Sequence, residues 1–368
     1  MSVEDLSRAL AHLSALVAFD TQNPPRRMRG GDPIFRYLGT RLEMAGFTVA
    51  LVDHGNGCVT LEARRGAPRL LWNFHLDTVP AVGEWTAHPL ELRIDRERAV
   101  GRGAVDVKGA VACALAAVEV ADGPVALLLT SDEEAGDDRC VRAFLGAMEV
   151  GAYEGVIVGE PTGCLAVLAH RGMATATGVF DGVAGHASSP DALEGSALHE
   201  SVRWAARALA YAEAEEARTV HGLRGIRFNL GVLHGGTKPN IIADRAELRF
   251  GVRSRPGEDP AALAMEVAAL AQRPERASWK LGFVGPPLPP PSAPVGAGAE
   301  LAARLGLAIS PPVDVWSEAS LFAAAGLPSL VFGPGEIAQA HAVDEWVGLA
   351  QLAEALGHYQ RMFAVRQE

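Results

Sequence analysis

Arg69-Leu70-Leu71-Trp72-Asn73-Phe74-His75-Leu76-Asp77 is the stretch on which the fold turns. A short apolar run ends abruptly in a histidine and an aspartate. Such a run, bounded by polar residues, predicts a strand buried on both faces, as strands are inside a parallel sheet. The same design recurs along the chain. The run at 125–129 leads into Thr130-Ser131-Asp132-Glu133-Glu134, and 155–158 leads into Gly159-Glu160-Pro161. The run at 329–332 opens a glycine-rich loop that reaches His341. Ala-rich 108–120 reads as a helix among these strands. The alternation predicts an α/β fold with a mixed, largely parallel sheet and flanking helices.

Working outward, residues 5–18 set Leu6, Leu10, Leu13 and Val17 on one helical face, and Ser2 with Asp5 fits a capping box at its start. The middle of the chain reads differently. Segments 174–181, 227–233 and 246–253 alternate apolar with polar residues, while 196–215 and 260–272 are helical. That β-α-β-β-α order suits a small α+β lobe, and proline-rich 286–294 reads as a stiff connector. The expected organisation is one domain built from 1–172 and 286–368, with 173–285 inserted as a smaller lobe.

The balance of 33 basic against 44 acidic residues gives a formal charge of -11. It excludes nucleic acid and anionic membranes as expected partners, because both need a basic surface. Cys58, Cys113, Cys140 and Cys164 make no CxxC pair. A disulfide framework is therefore not expected, and reduced thiols suit the cytoplasm. No signal peptide or membrane span is expected, since no apolar run nears the roughly 20 residues a span requires.

In an open α/β sheet, ligands bind beyond the carboxyl ends of the strands. Here those ends carry His75 with Asp77, Glu133 with Glu134, and Glu160, and the last strand leads to His341. Asp106 joins them in Gly101-Arg102-Gly103-Ala104-Val105-Asp106, just before the Ala-rich helix. Two imidazoles among several acids form a donor set that zinc or cobalt accepts. Each piece alone has an ordinary explanation: a polar loop, a solvated acid pair, a strand end. The order of all of them together is what points to a metal.

These segments, with Gly185-His186-Ala187-Ser188 and Gly333-Pro334-Gly335-Glu336-Ile337-Ala338-Gln339-Ala340-His341, resemble the M20-type metallopeptidase/deacylase family over essentially the whole chain. The resemblance implies one or two zinc or cobalt ions per subunit. His75, Asp106 and Glu160 would bind one ion, and Asp106, Glu134 and His341 the other, with Asp106 bridging. Glu133 would be the general base and acid, its side chain turned away from that of Glu134 on an extended segment. Asp77 would fix the ring of His75 through its carboxylate. His186, aided by Asn240, would serve the oxyanion across a homodimer formed through the inserted lobe, a dimerisation/lid domain. Arg171 and Arg253 are candidates to grip a substrate carboxylate, since a guanidinium can pair with both its oxygens.

The finer likeness is to the acetylornithine deacetylase branch, and within it to enzymes acting on acetylcitrulline. It rests on 19–26, on Leu168-Ala169-His170-Arg171-Gly172, on 222–229 and on Trp316-Ser317-Glu318-Ala319-Ser320. The implied reaction is hydrolysis of N-acetyl-L-citrulline to citrulline and acetate, in arginine biosynthesis. N-acetyl-L-ornithine, or the wider substrates of an aminoacylase or dipeptidase, are the alternatives. Glu318 could meet an ornithine amine, but both kinds of enzyme resemble this chain there.

Overall fold

A computed structural model describes residues 3–294 and 296–364. Ser2, and with it the expected capping box, lies outside the described residues. The chain divides into two compact units. One comprises Met1–Leu168, Pro294–Ser310 and Ser317–Glu368; the other comprises Ala169–Ala293 and Pro311–Trp316.

The first unit is built on a six-stranded mixed sheet. Its strands run in the order Thr48–Asp53, Val59–Arg65, Val125–Thr130, Leu70–His75, Gly155–Val158 and Ser329–Val331. The last four are parallel to one another, and the first two are antiparallel additions at one edge. Leu70–His75, Val125–Thr130 and Gly155–Val158 are buried at every residue, which is why they read as unbroken apolar runs. Helix Lys108–Val118 is buried at every position too. Its alanines let helices Val3–Ala18 and Leu349–Ala364 pack against it. Trp72 in the sheet meets Tyr359 and Phe363 of the C-terminal helix edge-on, with ring centroids 5.4 and 5.1 Å apart. Such pairs add about 0.5–1.5 kcal/mol beyond the area they bury.

A small antiparallel sheet of Arg93–Asp95, Arg98–Val100 and Trp346–Gly348 brings the segment before Asp106 against the segment after His341. That juxtaposition matters for the site.

The second unit is a four-stranded antiparallel sheet in the order Arg227–Gly235, Arg245–Ser254, Gly172–Asp181, Ala277–Gly285. Its central strands alternate buried with half-exposed residues, so one face is covered. Helices Ala197–Glu215 and Pro260–Ala268 supply the cover. Ser196 caps the first by accepting from His199 N, and Asp259 caps the second by accepting from Ala261 N and Ala262 N, with Pro260 in its first turn. Trp204 fills the core between helices and sheet, 5.0 Å from the ring of Trp279 and 5.2 Å from that of Phe250. The proline-rich segment packs within this unit: His170 and Leu288 exchange backbone hydrogen bonds, and Trp316 Nε1 donates to Pro286 O at 3.0 Å.

Candidate metal centre

His75 ends a parallel strand, and its side chain is buried. Its Nδ1 is 3.0 Å from the carbonyl oxygen of Asp77 and 3.6 Å from that residue's carboxylate. The ring is thus anchored by the backbone of Asp77, where the sequence suggested the side chain. The Asp77 carboxylate accepts instead from Glu134 N at 3.1 Å, and from Asn23 Nδ2 at 3.4 Å. Asp77 therefore links the first histidine strand to the acid pair. With Nδ1 so engaged, Nε2 of His75 faces Asp106 Oδ1 at 3.0 Å and Glu160 Oε1 at 3.7 Å.

The other oxygen of Asp106 faces a second imidazole. His341 Nε2 lies 3.0 Å from Asp106 Oδ2 and 3.1 Å from Glu134 Oε1. Two groups result, His75–Asp106–Glu160 and Asp106–Glu134–His341, and within each the ligand atoms lie within 4.8 Å of one another. Asp106 belongs to both, offering one oxygen to each. His341 adopts a left-handed backbone with φ of 58°, a conformation that costs a non-glycine residue about 1–3 kcal/mol. The strain sits on a residue whose side chain the site uses.

Two further features hold the frame. Glu345, buried, accepts from Val105 N at 3.0 Å and Asp106 N at 3.2 Å, while its other oxygen pairs with buried Arg102 at 2.5 Å. The Arg102–Glu345 pair thereby fixes the backbone that presents Asp106. Gly333 passes so close to Glu160 that a Cβ there would stand 2.6 Å from the Glu160 carbonyl oxygen. Sequence reasoning missed the role of Glu345, because a carboxylate that accepts from backbone N–H groups leaves no spacing signal. Lys108 is also buried, and its ammonium donates to Phe19 O at 2.9 Å.

Glu133 and Glu134 occupy a turn after the strand Val125–Thr130, closed by Gly136 N donating to Glu133 O. The extended segment expected there is replaced by that turn, so the turn, not strand alternation, separates the two side chains. Burial pushes the Glu133 carboxyl well above its usual range, reinforced by Glu134, Glu160 and Asp106 and opposed by His75. Burial likewise pushes Glu160 and Glu134 up. Burial alone would raise Asp106 as well, but the hydrogen bonds to His341 and His75 hold it below the usual carboxylate range. His341 is pushed up to about 10 by its bonds to Asp106 and Glu134. An imidazole nitrogen between two carboxylate oxygens holds a proton or a cation, and these shifts express a site with surplus negative charge. The residues present fit a pair of divalent ions: nitrogen and oxygen donors, two groups of three, one shared carboxylate.

His186, Asn240, Arg171 and Arg253 lie in the second unit, and Glu318 in the first. His186 is exposed, its Nδ1 2.7 Å from Ser188 Oγ, and its backbone pairs with Ile241. Asn240 is its neighbour through Ala187 N, which donates to Asn240 O at 3.1 Å. Arg253 is half-buried beside Met173, its Nη1 3.2 Å from the sulfur. Arg171 departs from its expected role. It is fully buried, and its three guanidinium nitrogens donate to Asp314 Oδ1 at 2.5 Å, Gly225 O at 2.6 Å and Arg224 O at 2.7 Å. A guanidinium so engaged is an internal tie, and a substrate carboxylate would have to displace those bonds. Glu318 is sealed beneath Thr130, whose hydroxyl donates to it at 3.1 Å, and burial pushes its carboxyl up to about 8.

Comparison with known proteins accords with this geometry. The model of peptidase family M20/M25/M40 matches residues 71–364. The N-acetyl-L-citrulline deacetylase of Xanthomonas campestris pv. campestris is 46% identical over 352 residues, covering 94% of this chain and 95% of that one. An acetylornithine deacetylase of Myxococcus xanthus is 31% identical, over 95% of this chain and 97% of that one. Among solved structures, a dinuclear metal binding peptidase of the M20 family from Bacillus subtilis superposes with a TM-score of 0.68 at 14% identity, covering 99% and 98% of the two chains. At that identity the likeness is one of fold.

Proposed function

The chain belongs to peptidase family M20/M25/M40, and from that premise we propose that it hydrolyses the acetyl amide of N-acetyl-L-citrulline, releasing citrulline and acetate for arginine synthesis. That it is an amidohydrolase follows from the family and from its deacetylase relatives. The substrate reading is carried by one observation, the 46% identity with the Xanthomonas N-acetyl-L-citrulline deacetylase over 94% of this chain. The Myxococcus relative makes N-acetyl-L-ornithine the second reading.

His75, Asp106 and Glu160 would hold one ion and Asp106, Glu134 and His341 the other, with zinc and cobalt both suited to the donors. Bound there, such ions supply Lewis acidity for the amide carbonyl and acidify water. Glu133 takes the proton of the attacking water at its carboxylate and returns it to the leaving α-nitrogen. Burial, with the neighbouring acids, raises its carboxyl above the usual carboxylate range. Asp77 keeps the His75 ring and the Glu134 backbone in place, and Glu345 does the same for Asp106. Arg253 is the remaining arginine candidate for the substrate carboxylate.

A cytoplasmic homodimer formed through the Ala169–Ala293 unit completes the reading, with His186 and Asn240 serving the partner's centre. Among the described residues no helix is long and apolar enough to cross a membrane. Mixing inactive His186→Ala and Glu133→Ala proteins tests the dimer. Hybrid dimers would regain one intact centre, giving roughly a quarter of wild-type activity after random exchange; no recovery after demonstrated exchange would remove His186 from that role. The substrate is tested by offering N-acetyl-L-citrulline and N-acetyl-L-ornithine side by side to metal-loaded protein, with a chelated control. A higher kcat/KM for acetylcitrulline supports the first reading, and the reverse order supports the second.

A further inference from the structure

Outside the histidine–carboxylate centre, the first unit holds a second group of metal-ligating side chains: Cys58, Asp132 and Cys140, all buried. Cys58 immediately precedes the strand Val59–Arg65, Asp132 follows the strand Val125–Thr130, and Cys140 lies in the first turn of helix Arg139–Ala147. Their two sulfurs and one carboxylate oxygen lie within 4.8 Å of one another. Asp132 Oδ2 accepts from the Cys58 thiol at 3.2 Å and from Cys140 N at 2.9 Å. The other oxygen of the same carboxylate is buried without a hydrogen-bond partner, although Asp132 is only 1% exposed. An unmatched buried oxygen costs on the order of 1–3 kcal/mol, so this side chain is set to receive more than the two donors it has. The hydrolytic reading does not use this arrangement, and the Cys140 thiol donates to Val59 O of the sheet only at 3.5 Å.

The spacing is close to what a tetrahedral ion requires. With metal–sulfur bonds of about 2.3 Å, ligand atoms stand roughly 3.8 Å apart, so the three atoms need to close by about 1 Å or less. Asp137 Oδ2, which accepts from Arg139 Nε at 2.7 Å, lies 4.0 Å from Cys58 Sγ and would supply a fourth donor. A cavity of about 290 Å³, lined by Gly57, Cys58, Asp132 and Asp137 among others, gives access from the surface. Two sulfurs with carboxylate oxygen select zinc, cadmium or cobalt over magnesium or calcium.

We propose that Cys58, Cys140 and Asp132, with Asp137 at the mouth, bind one thiophilic divalent cation at a site separate from the dinuclear centre. On binding, the two S–H bonds break, both protons pass to solvent, and two sulfur–metal bonds form. Burial pushes the Cys58 thiol up to about 12, so the cation competes with protons and binding strengthens as pH rises.

The test is titration of the reduced, full-length protein with Co²⁺, followed by absorption. The centre around Asp106 has only nitrogen and oxygen donors, so sulfur-to-cobalt charge transfer in the near ultraviolet reports the cysteine site alone. The expected result is a charge-transfer band that saturates with one equivalent of Co²⁺ beyond those bound at the dinuclear centre. It is lost in Cys58→Ser and in Cys140→Ser and kept in Cys113→Ala, whose thiol instead donates to Leu352 O. Cys58→Ser keeps its hydrolytic activity, which separates this site from the catalytic reading and shows the variant is folded. Cobalt loading without a charge-transfer band, or a band that persists in folded Cys58→Ser, overturns the proposal.

Discussion

Apart from the Arg102–Glu345 pair, the two units bury charge in opposite ways. In the unit formed by Ala169–Ala293 and Pro311–Trp316, buried Arg171 meets Asp314 and two carbonyls, and buried Arg255 meets Glu215 and Glu258. In the other unit Asp106, Glu133, Glu134 and Glu160 gather about two imidazoles; burial pushes all of them upward, and only Asp106 is held down by its histidine bonds. The first arrangement is neutralised by the chain itself and holds a fold together. The second is short of positive charge. Perturbed, uncompensated groups of this kind concentrate where chemistry is done, whereas balanced ones are architecture.

The contrast can be broken most forcefully at the shared carboxylate. Asp106→Asn removes the charge common to both groups of three. We expect kcat/KM to fall on the order of 10⁴-fold, about 5.5 kcal/mol of transition-state stabilisation, with metal content reduced. Wild-type metal content with wild-type turnover would put the ions elsewhere. Arg171→Met addresses the balanced side. It leaves the buried Gly225 carbonyl and the part-buried Arg224 carbonyl without their donor and is expected to cost on the order of 3 kcal/mol in stability, read by denaturant unfolding, while metal content is unchanged. A variant of wild-type stability with a raised KM would return Arg171 to the substrate.

A smaller effect comes from His170, buried within the same unit with its ring hydrogen-bonded to Arg171 O at 2.9 Å. Burial, with nearby Arg253, lowers its pKa from 6.5 to about 4, against the pull of the Arg171 carbonyl. The unfolded chain therefore binds this proton more readily than the folded one. Its contribution to stability is complete above about pH 6.5 and is lost as pH falls toward 4, the loss reaching about 2 kcal/mol at pH 5. His170→Asn is expected to flatten that part of the pH–stability profile. An unchanged slope would show that His170 titrates normally.

Much of this was legible in the sequence, and for a physical reason. Strands covered on both faces are mostly apolar, so the strands ending at His75, Thr130 and Val158 announce themselves, as do the polar residues at or just beyond their ends. Thr48–Asp53 did not, because it lies at the sheet edge and its residues are mostly exposed. The strand Ala277–Gly285 also escaped notice. It is interrupted by a register shift between Leu281 and Val284 that blurs its alternation. At the site, residues that touch a metal have the chemistry of ligands and can be picked out by type. Residues that position them cannot: Glu345 acts through backbone N–H groups, and Asp77 anchors His75 with its carbonyl, which any residue possesses. Arg171 misled for a related reason. Two of its partners are the carbonyls of Arg224 and Gly225, and nothing in a side-chain pattern marks a carbonyl as an acceptor.

The central claim is that the surplus of buried acid divides into ligands that hold ions and one acid, Glu133, that moves the proton. Turnover of N-acetyl-L-citrulline by metal-loaded Glu133→Gln tests it most directly. Removing a positioned general acid–base should lower kcat by about 10²–10⁴-fold while metal content stays at the wild-type level. Turnover near wild type at full metal content would contradict the assignment and leave the proton to another group.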